Sequence, residues 1–114
     1  MKNTTIDINE STVKNYVESL RPEDLDIRTK LDFGYSYDKK VVIIYKIRPV
    51  WNNPKKTQNI EYVKIRFYKS KQEWLLYWKR ASGKWEIYPS SKGSTHLEKI
   101  IEMIKEDKHG CFFV

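Results

Sequence analysis

Asp107, His109 and Cys111, close to the end of the chain, include the side-chain types of a cysteine–histidine–aspartate nucleophilic site. In such a site a histidine takes the thiol proton and a carboxylate orients the imidazole. Here the three alternate along one short segment at a helix end. Sites of that chemistry are assembled from distant segments that converge, so the segment reads as a capping histidine beside a buried thiol. His109 and Cys111 are also metal-ligand types. A structural zinc needs four ligands, and only His96 remains as a further His or Cys, so neither a metal nor a cofactor is expected. Glu23, Asp38 and Lys40 can be fitted to the Pro-acid…Asp-x-Lys pattern of Mg²⁺ nucleases. Asp38-Lys39 is better explained as a hairpin turn. With Gly 4 in total, no phosphate-binding glycine loop can be built. No catalytic residue is assigned, and the chain reads as a non-enzyme.

A basic-aromatic set is the stronger candidate. Tyr62, Lys64, Arg66 and Tyr68 alternate rings with cations, and Lys46, Arg48, Tyr77 and Lys79 can lie beside them. Trp51, Lys55 and Lys56 belong to an adjoining polar loop. Single-stranded nucleic acid is often bound on sheets by such sets, with cations on phosphates and rings stacked on bases. No RNP-type motif is present. Two other readings use the same residues. In one, the face is simply solvated, and Lys and Arg stems cover the tyrosine rings. In the other, Val42, Ile44, Leu75, Tyr77 and Tyr88 make the face apolar enough for a subunit interface. The expected partners are therefore nucleic acid or another polyanion, an acidic protein, or a second copy of the chain, with no membrane.

These residues must be positioned by strands. Ile60 to Pro89 holds three alternating runs rich in β-branched and aromatic residues, broken by Ser70-Lys-Gln72 and Ala81-Ser-Gly83. Short polar breaks between such runs make two successive hairpins. Alternation puts Val63, Ile65 and Phe67 on one face, joined by Trp74, Leu76 and Trp78 and by Trp85 and Ile87. The opposite face takes the basic-aromatic set with Leu75, Lys84, Glu86 and Tyr88. Upstream, Arg28 to Tyr37 and Lys40 to Arg48 predict two more strands, closed by Pro49. The second is apolar on both faces, so its register is open, with Val41, Ile43, Tyr45 and Ile47 the more apolar set. Val50 to Asn59 reads as a polar loop.

Helices flank the strands. Asp7 and Glu10 form a capping box before the stripe Val13, Tyr16, Val17 and Leu20, which Arg21-Pro22 ends. Pro22 to Leu25 can add one short turn. Thr95 to Glu98 reads as a second capping box before Leu97, Ile100, Ile101 and Ile104, with Gly110 as a left-handed stop. Ser90 to Ser94 reads as a flexible joint, and Cys111 to Val114 should dock on the core. The expected fold is α+β, two layers, with a five-stranded antiparallel meander and both helices on one face.

The chain has 114 residues, suited to one domain spanning 1–114. Lys+Arg 22 against Asp+Glu 15 gives +7, which permits polyanion binding without proving it. One cysteine excludes an internal disulfide, and no apolar run approaches the roughly 20 residues of a membrane span. A cytoplasmic protein is expected.

Arg48-Pro49 after an apolar strand, Ile65-Arg-Phe-Tyr68, Trp74-Leu-Leu-Tyr-Trp78, Trp85-Glu-Ile-Tyr88 and Asp107-Lys-His-Gly-Cys-Phe-Phe113 occur in that order. Together they resemble DUF3024, a family of small bacterial proteins of unknown function, over nearly the whole chain. The family pattern favours an acidic residue where this chain has Ile47, and a tryptophan near Phe113. The resemblance implies no activity and no catalytic residue.

Overall fold

The computed structural model describes residues 7–89 and 93–112. A helix α1 (Ile8–Leu20) and one turn of helix α2 (Leu25–Arg28) precede the sheet. Five strands follow: β1 (Asp32–Tyr37), β2 (Val41–Val50), β3 (Asn53–Tyr68), β4 (Glu73–Lys79) and β5 (Trp85–Ile87). Helix α3 (Leu97–Glu106) ends the order. The strands lie β1-β2-β3-β4-β5 and each pair is antiparallel, so the expected α+β meander is what forms.

The apolar stripes decide the packing. Val13, Tyr16 and Val17 of α1, and Leu97, Ile100, Ile101 and Ile104 of α3, are buried against Val42, Ile44, Val63, Ile65, Trp74 and Leu76 of the sheet. The molecule measures 45 × 44 × 21 Å. A thickness of 21 Å is one helix layer on one sheet, since packed layers lie about 10 Å apart. The exposed area is 8170 Å², against about 6,600 Å² for a rounded protein of this mass. A thin slab and the exposed stretch 51–61 both add to this area.

Polar contacts fix the helices to β1. The Asp7 carboxylate accepts from the N–H groups of Asn9 (3.0 Å) and Glu10 (3.2 Å) and from the Tyr37 hydroxyl (2.9 Å). Arg21, which caps the end of α1, donates from Nε and Nη2 to the two Asp32 carboxylate oxygens at 2.9 and 3.0 Å. That hydrogen-bonded guanidinium is the main reason Asp32 titrates below the usual carboxylate range. At the other end, Asp107 stops α3 in the left-handed region, so the stop precedes Gly110. Its carboxylate accepts from Cys111 N–H (2.8 Å) and Phe112 N–H (3.1 Å), and Phe112 stacks on Tyr88 at 5.1 Å. Phe112 therefore docks as expected; Phe113 and Val114 lie outside the described residues.

Several boundaries differ from the pattern in the sequence. The short helix begins at Leu25 with Asp24 as its cap, not at Pro22, and β1 consequently starts at Asp32 instead of Arg28. His96, not Thr95, precedes α3, and its side chain makes no capping bond. Of the joint from Ser90 to Ser94, residues 90–92 lie outside the described residues. Ser94 itself is pinned: Trp74 N–H donates to its carbonyl at 2.7 Å, and its own N–H returns a bond at 3.1 Å. The largest difference is Val50 to Asn59. It is not a loop but the outer part of a long β2–β3 hairpin, in which Arg48 pairs with Gln58 and Pro49 with Thr57.

Three register findings redistribute side chains between the faces. Val42 and Ile44 are buried beneath the helices, so Val41, Ile43, Tyr45 and Ile47 face outward. Pairing jumps from Ile44↔Val63 to Tyr45↔Glu61, leaving Tyr62 as a bulge residue. Tyr62 thereby turns inward beside Val63, 9% exposed, with Phe33 edge-on at 6.3 Å. Finally, Lys79 pairs with Trp85 and Tyr77 with Ile87. Residues opposite each other share a face, so Trp85 and Ile87 point outward, while Glu86 and Tyr88 turn to the helix side. The turn between these strands sets that phase: Arg80 N–H donates to the Lys84 carbonyl, and Gly83 takes φ 89.

Candidate functional site

The uncovered face of the sheet is built around β3. Lys64 and Arg66 project outward from its centre, because Val63, Ile65 and Phe67 between them are drawn inward by the core. Across β3, Lys64 faces Tyr77 on one side and Ile43 on the other; Arg66 faces Leu75 and Val41. The Arg66 guanidinium lies 5.1 Å from the Tyr68 ring centroid. Lys64 Nζ is 5.4 Å from the Tyr77 ring and 5.9 Å from Trp85, and Lys79 Nζ is 5.4 Å from Trp85. The Tyr68 and Tyr77 hydroxyls are hydrogen-bonded to each other. Burial, with that bond second, pushes the Tyr77 phenol up to about 12. Lys79 also meets Glu61 at 3.8 Å. Rings and cations thus form one continuous array across β3, β4 and β5. Beside it, Val41, Ile43, Tyr45 and Ile47 make an aliphatic and aromatic flank on β2.

Of the eleven residues assigned to a basic-aromatic surface from sequence, five meet here: Lys64, Arg66, Tyr68, Tyr77 and Lys79. Three do not. Tyr62 is drawn into the core by the bulge. Lys46 and Arg48 continue the alternation of the buried Val42 and Ile44 along β2, which puts them on the helix side, where Lys46 Nζ lies 5.0 Å from the Tyr62 ring. Trp51, Lys55 and Lys56 sit at the end of the β2–β3 hairpin, with Trp51 89% exposed in its turn. Sequence reasoning missed Trp85, the ring between Lys64 and Lys79. Alternation alone could not place it, since its face depends on the length of the preceding turn. The Val42, Ile44 and Tyr88 assigned to this face as an apolar patch are core residues instead. Ile43, Ile47 and Ile87 replace them.

The other constellations read from the sequence have these surroundings. Desolvation, then the charges of Asp107 and Glu86, raise the Cys111 thiol and disfavour its nucleophilic thiolate. His109 packs its ring edge-on against Tyr88 at 5.2 Å, and its backbone N–H donates to the Tyr88 hydroxyl at 3.1 Å. Asp38 Oδ1 accepts from Val41 N–H (2.7 Å) and Lys40 N–H (3.0 Å), which is hairpin-turn chemistry. Among the described residues, no group of three or more His, Cys, Asp and Glu is placed to hold a metal ion.

Comparison with known proteins supplies one match. The family model of DUF3024, described as a domain of unknown function, covers residues 1–114. No curated protein and no solved structure matches.

Proposed function

The chain belongs to the DUF3024 family, whose description names no function, and on that premise we propose a non-enzymatic binding module for single-stranded nucleic acid. The observation that carries this reading is the ring–cation array on an uncovered sheet face: Arg66 with Tyr68, and Lys64 and Lys79 with Tyr77 and Trp85. Magnitudes favour a ligand over a closed surface. A cation over a half-buried ring such as Tyr68, Tyr77 or Trp85 gains about 1–2 kcal/mol. Stacking a base on such a ring is worth about 1–3 kcal/mol, and each phosphate neutralised also releases a counterion. The cations can therefore swing from ring to phosphate at a cost that stacking offsets while the rings take bases. The lone cysteine supports a cytoplasmic setting, and among the described residues no helix is long and apolar enough to cross a membrane.

Titration of a labelled mixed-sequence single strand tests the proposal. Three phosphate contacts would weaken binding roughly 20-fold between about 50 and 200 mM salt, at about −0.7 in the log–log slope per contact. Lys64→Glu with Arg66→Glu should remove most of the affinity while the circular dichroism spectrum is kept. No binding at low salt and micromolar protein sinks the reading.

A second reading rests on the flank of Val41, Ile43 and Ile47, which is aliphatic and lies beside the array. A second copy of the chain would cover it. Light scattering at increasing protein concentration separates the two, because a dimer through this face would exclude the single strand.

A further inference from the structure

The β2–β3 hairpin continues past the rest of the sheet. β1 reaches only as far as Ile47, and β4 pairs with β3 only from Val63. From Arg48 to Gln58 the two strands have only each other. Residues 51–61 are exposed throughout, yet the hairpin is kept by the pairs Arg48↔Gln58, Pro49↔Thr57 and, past a register shift, Val50↔Asn53. Such a projection buries no apolar surface and adds nothing to the core. Its composition is one-sided. From Lys46 to Ile60 there are four cations, Lys46, Arg48, Lys55 and Lys56, and no acid. Five more are amide or hydroxyl, Asn52, Asn53, Thr57, Gln58 and Asn59; Trp51 is at the turn, and Ile47, Pro49, Val50, Pro54 and Ile60 complete the stretch. Edge protection explains prolines and lysines on an exposed strand. It does not explain a tryptophan held 89% exposed at the tip, nor the run of amides.

We infer that this arm is a second nucleic-acid element, which enters the major groove of double-stranded DNA. The B-form major groove, about 12 Å wide, admits a two-stranded ribbon, and Asn and Gln side chains pair with adenine edges there. The major groove of A-form RNA is too narrow for this. Strands lie about 4.8 Å apart, and the three residues of β2 beyond Ile47 carry the ribbon roughly 10 Å out to the Trp51-Asn52 turn, comparable with the groove's depth of about 8.5 Å. Lys46, Arg48, Lys55 and Lys56 reach the phosphates on either side. A lipid surface fits less well, because only one large apolar side chain, Trp51, stands at the tip beside Val50 and two prolines, and amides follow it.

Two probes are titrated with the full chain: a mixed-sequence DNA duplex of about 25 base pairs, and one of its strands alone. Duplex binding should weaken about 150-fold between about 50 and 200 mM salt if all four cations meet phosphates. Lys55→Glu with Lys56→Glu should lower duplex affinity at least 10-fold and reduce the salt slope by about 1.8. Single-strand affinity should change little. Trp51 emission should shift to the blue on duplex binding, read as the difference from Trp51→Phe. These substitutions lie on exposed positions, and an unchanged circular dichroism spectrum shows that the fold is kept. The inference is overturned if the parent fails to bind duplex at low salt, or if the charge-reversed arm binds it as well as the parent. It is equally overturned if anionic phospholipid vesicles shift Trp51 emission and the duplex does not. Single-strand binding that survives with duplex binding absent discards the arm and leaves the sheet-face proposal standing; the reverse outcome discards only the sheet face.

Discussion

β3 is one strand in two environments. From Val63 to Tyr68 it lies in the middle of the sheet, with β2 and β4 on its edges and the helices against one face. From Asn53 to Gln58 it has one neighbour and solvent on both faces. In the first half, burial selects each side chain: Val63 and Ile65 are fully enclosed, and Lys64 and Arg66 are held outward between them. In the second half nothing is selected by packing, so backbone pairing alone holds the shape. The bulge at Tyr62 marks the boundary. The lesson is that the body supplies stability and presents its outer face as a rigid platform, whereas the arm is free to be chosen for what it touches.

Substitution at matched sites should show the contrast most strongly. Ile65→Ala, at a fully buried position, should cost about 2–5 kcal/mol in urea unfolding. A loss under about 1 kcal/mol would mean that the core can collapse around the gap and that the body is less rigid than its packing implies.

Next in size is the clamp that ties α1 to the sheet. Asp7→Ala removes an N-cap and the acceptor of the Tyr37 hydroxyl, and should cost about 0.5–2 kcal/mol. Burial pulls the Asp7 pKa upward, but hydrogen bonds from Tyr37, Glu10 and Asn9 outweigh it and leave the carboxyl lowered. A carboxyl lowered in the folded state stabilises above its unfolded value and loses that contribution as pH falls through its folded value. The difference between parent and Asp7→Ala should therefore shrink on acidification below about pH 4. An unchanging difference would assign the effect to helix propensity instead of the ionised cap.

Tyr16 should act in the opposite direction. Its hydroxyl is buried and, among the described residues, has no hydrogen-bond partner. Tyr16→Phe should therefore stabilise by about 1 kcal/mol, the desolvation penalty of an unmade bond. Burial, with Asp107 adding to it, pushes the phenol from its ordinary value of 10.0 to about 12. The neutral phenol is favoured in the fold, so this contribution is complete below pH 10 and is lost as pH rises toward 12. Urea midpoints across that window should fall less steeply in the variant. An equal or steeper fall would show that other groups govern alkaline unfolding.

How far these features were legible follows the same boundary. Alternation in Val63 to Phe67 and in Trp74 to Trp78 could be read because one face must be apolar, and the structure keeps both. β2 is apolar on both faces, so Val42 and Ile44 could not be told from Val41 and Ile43 until pairing was known. The bulge left no mark in composition, and by reversing the phase of β3 it moved Tyr62 off the outer face; Lys46 and Arg48 left it with the register of β2, in step with Val42 and Ile44. The arm reads as a loop because its strand character comes only from hairpin pairing, which polar residues sustain without any hydrophobic period. The site was therefore legible where the core dictated it and hidden where a turn length or one extra residue did.

The smallest effects belong to the arm, and they test its independence most sharply. Thr57→Ala should change stability by no more than about 0.5 kcal/mol, since the residue is exposed and packs on nothing. Amide hydrogen exchange gives the same comparison without mutation. The backbone bonds of Val63 to Tyr68 lie inside the sheet and should open only with a free energy near that of global unfolding. Those of the arm face solvent, and local fraying at the tip should break them one pair at a time. Protection should therefore drop across Tyr62 within a single strand. Adding the DNA duplex should raise protection in the arm alone; adding the single strand should raise it in β3, β4 and β5 only. Equal protection in arm and body without any nucleic acid would mean that the arm is already covered, with a second copy of the chain as the occupant, and light scattering would then report a dimer.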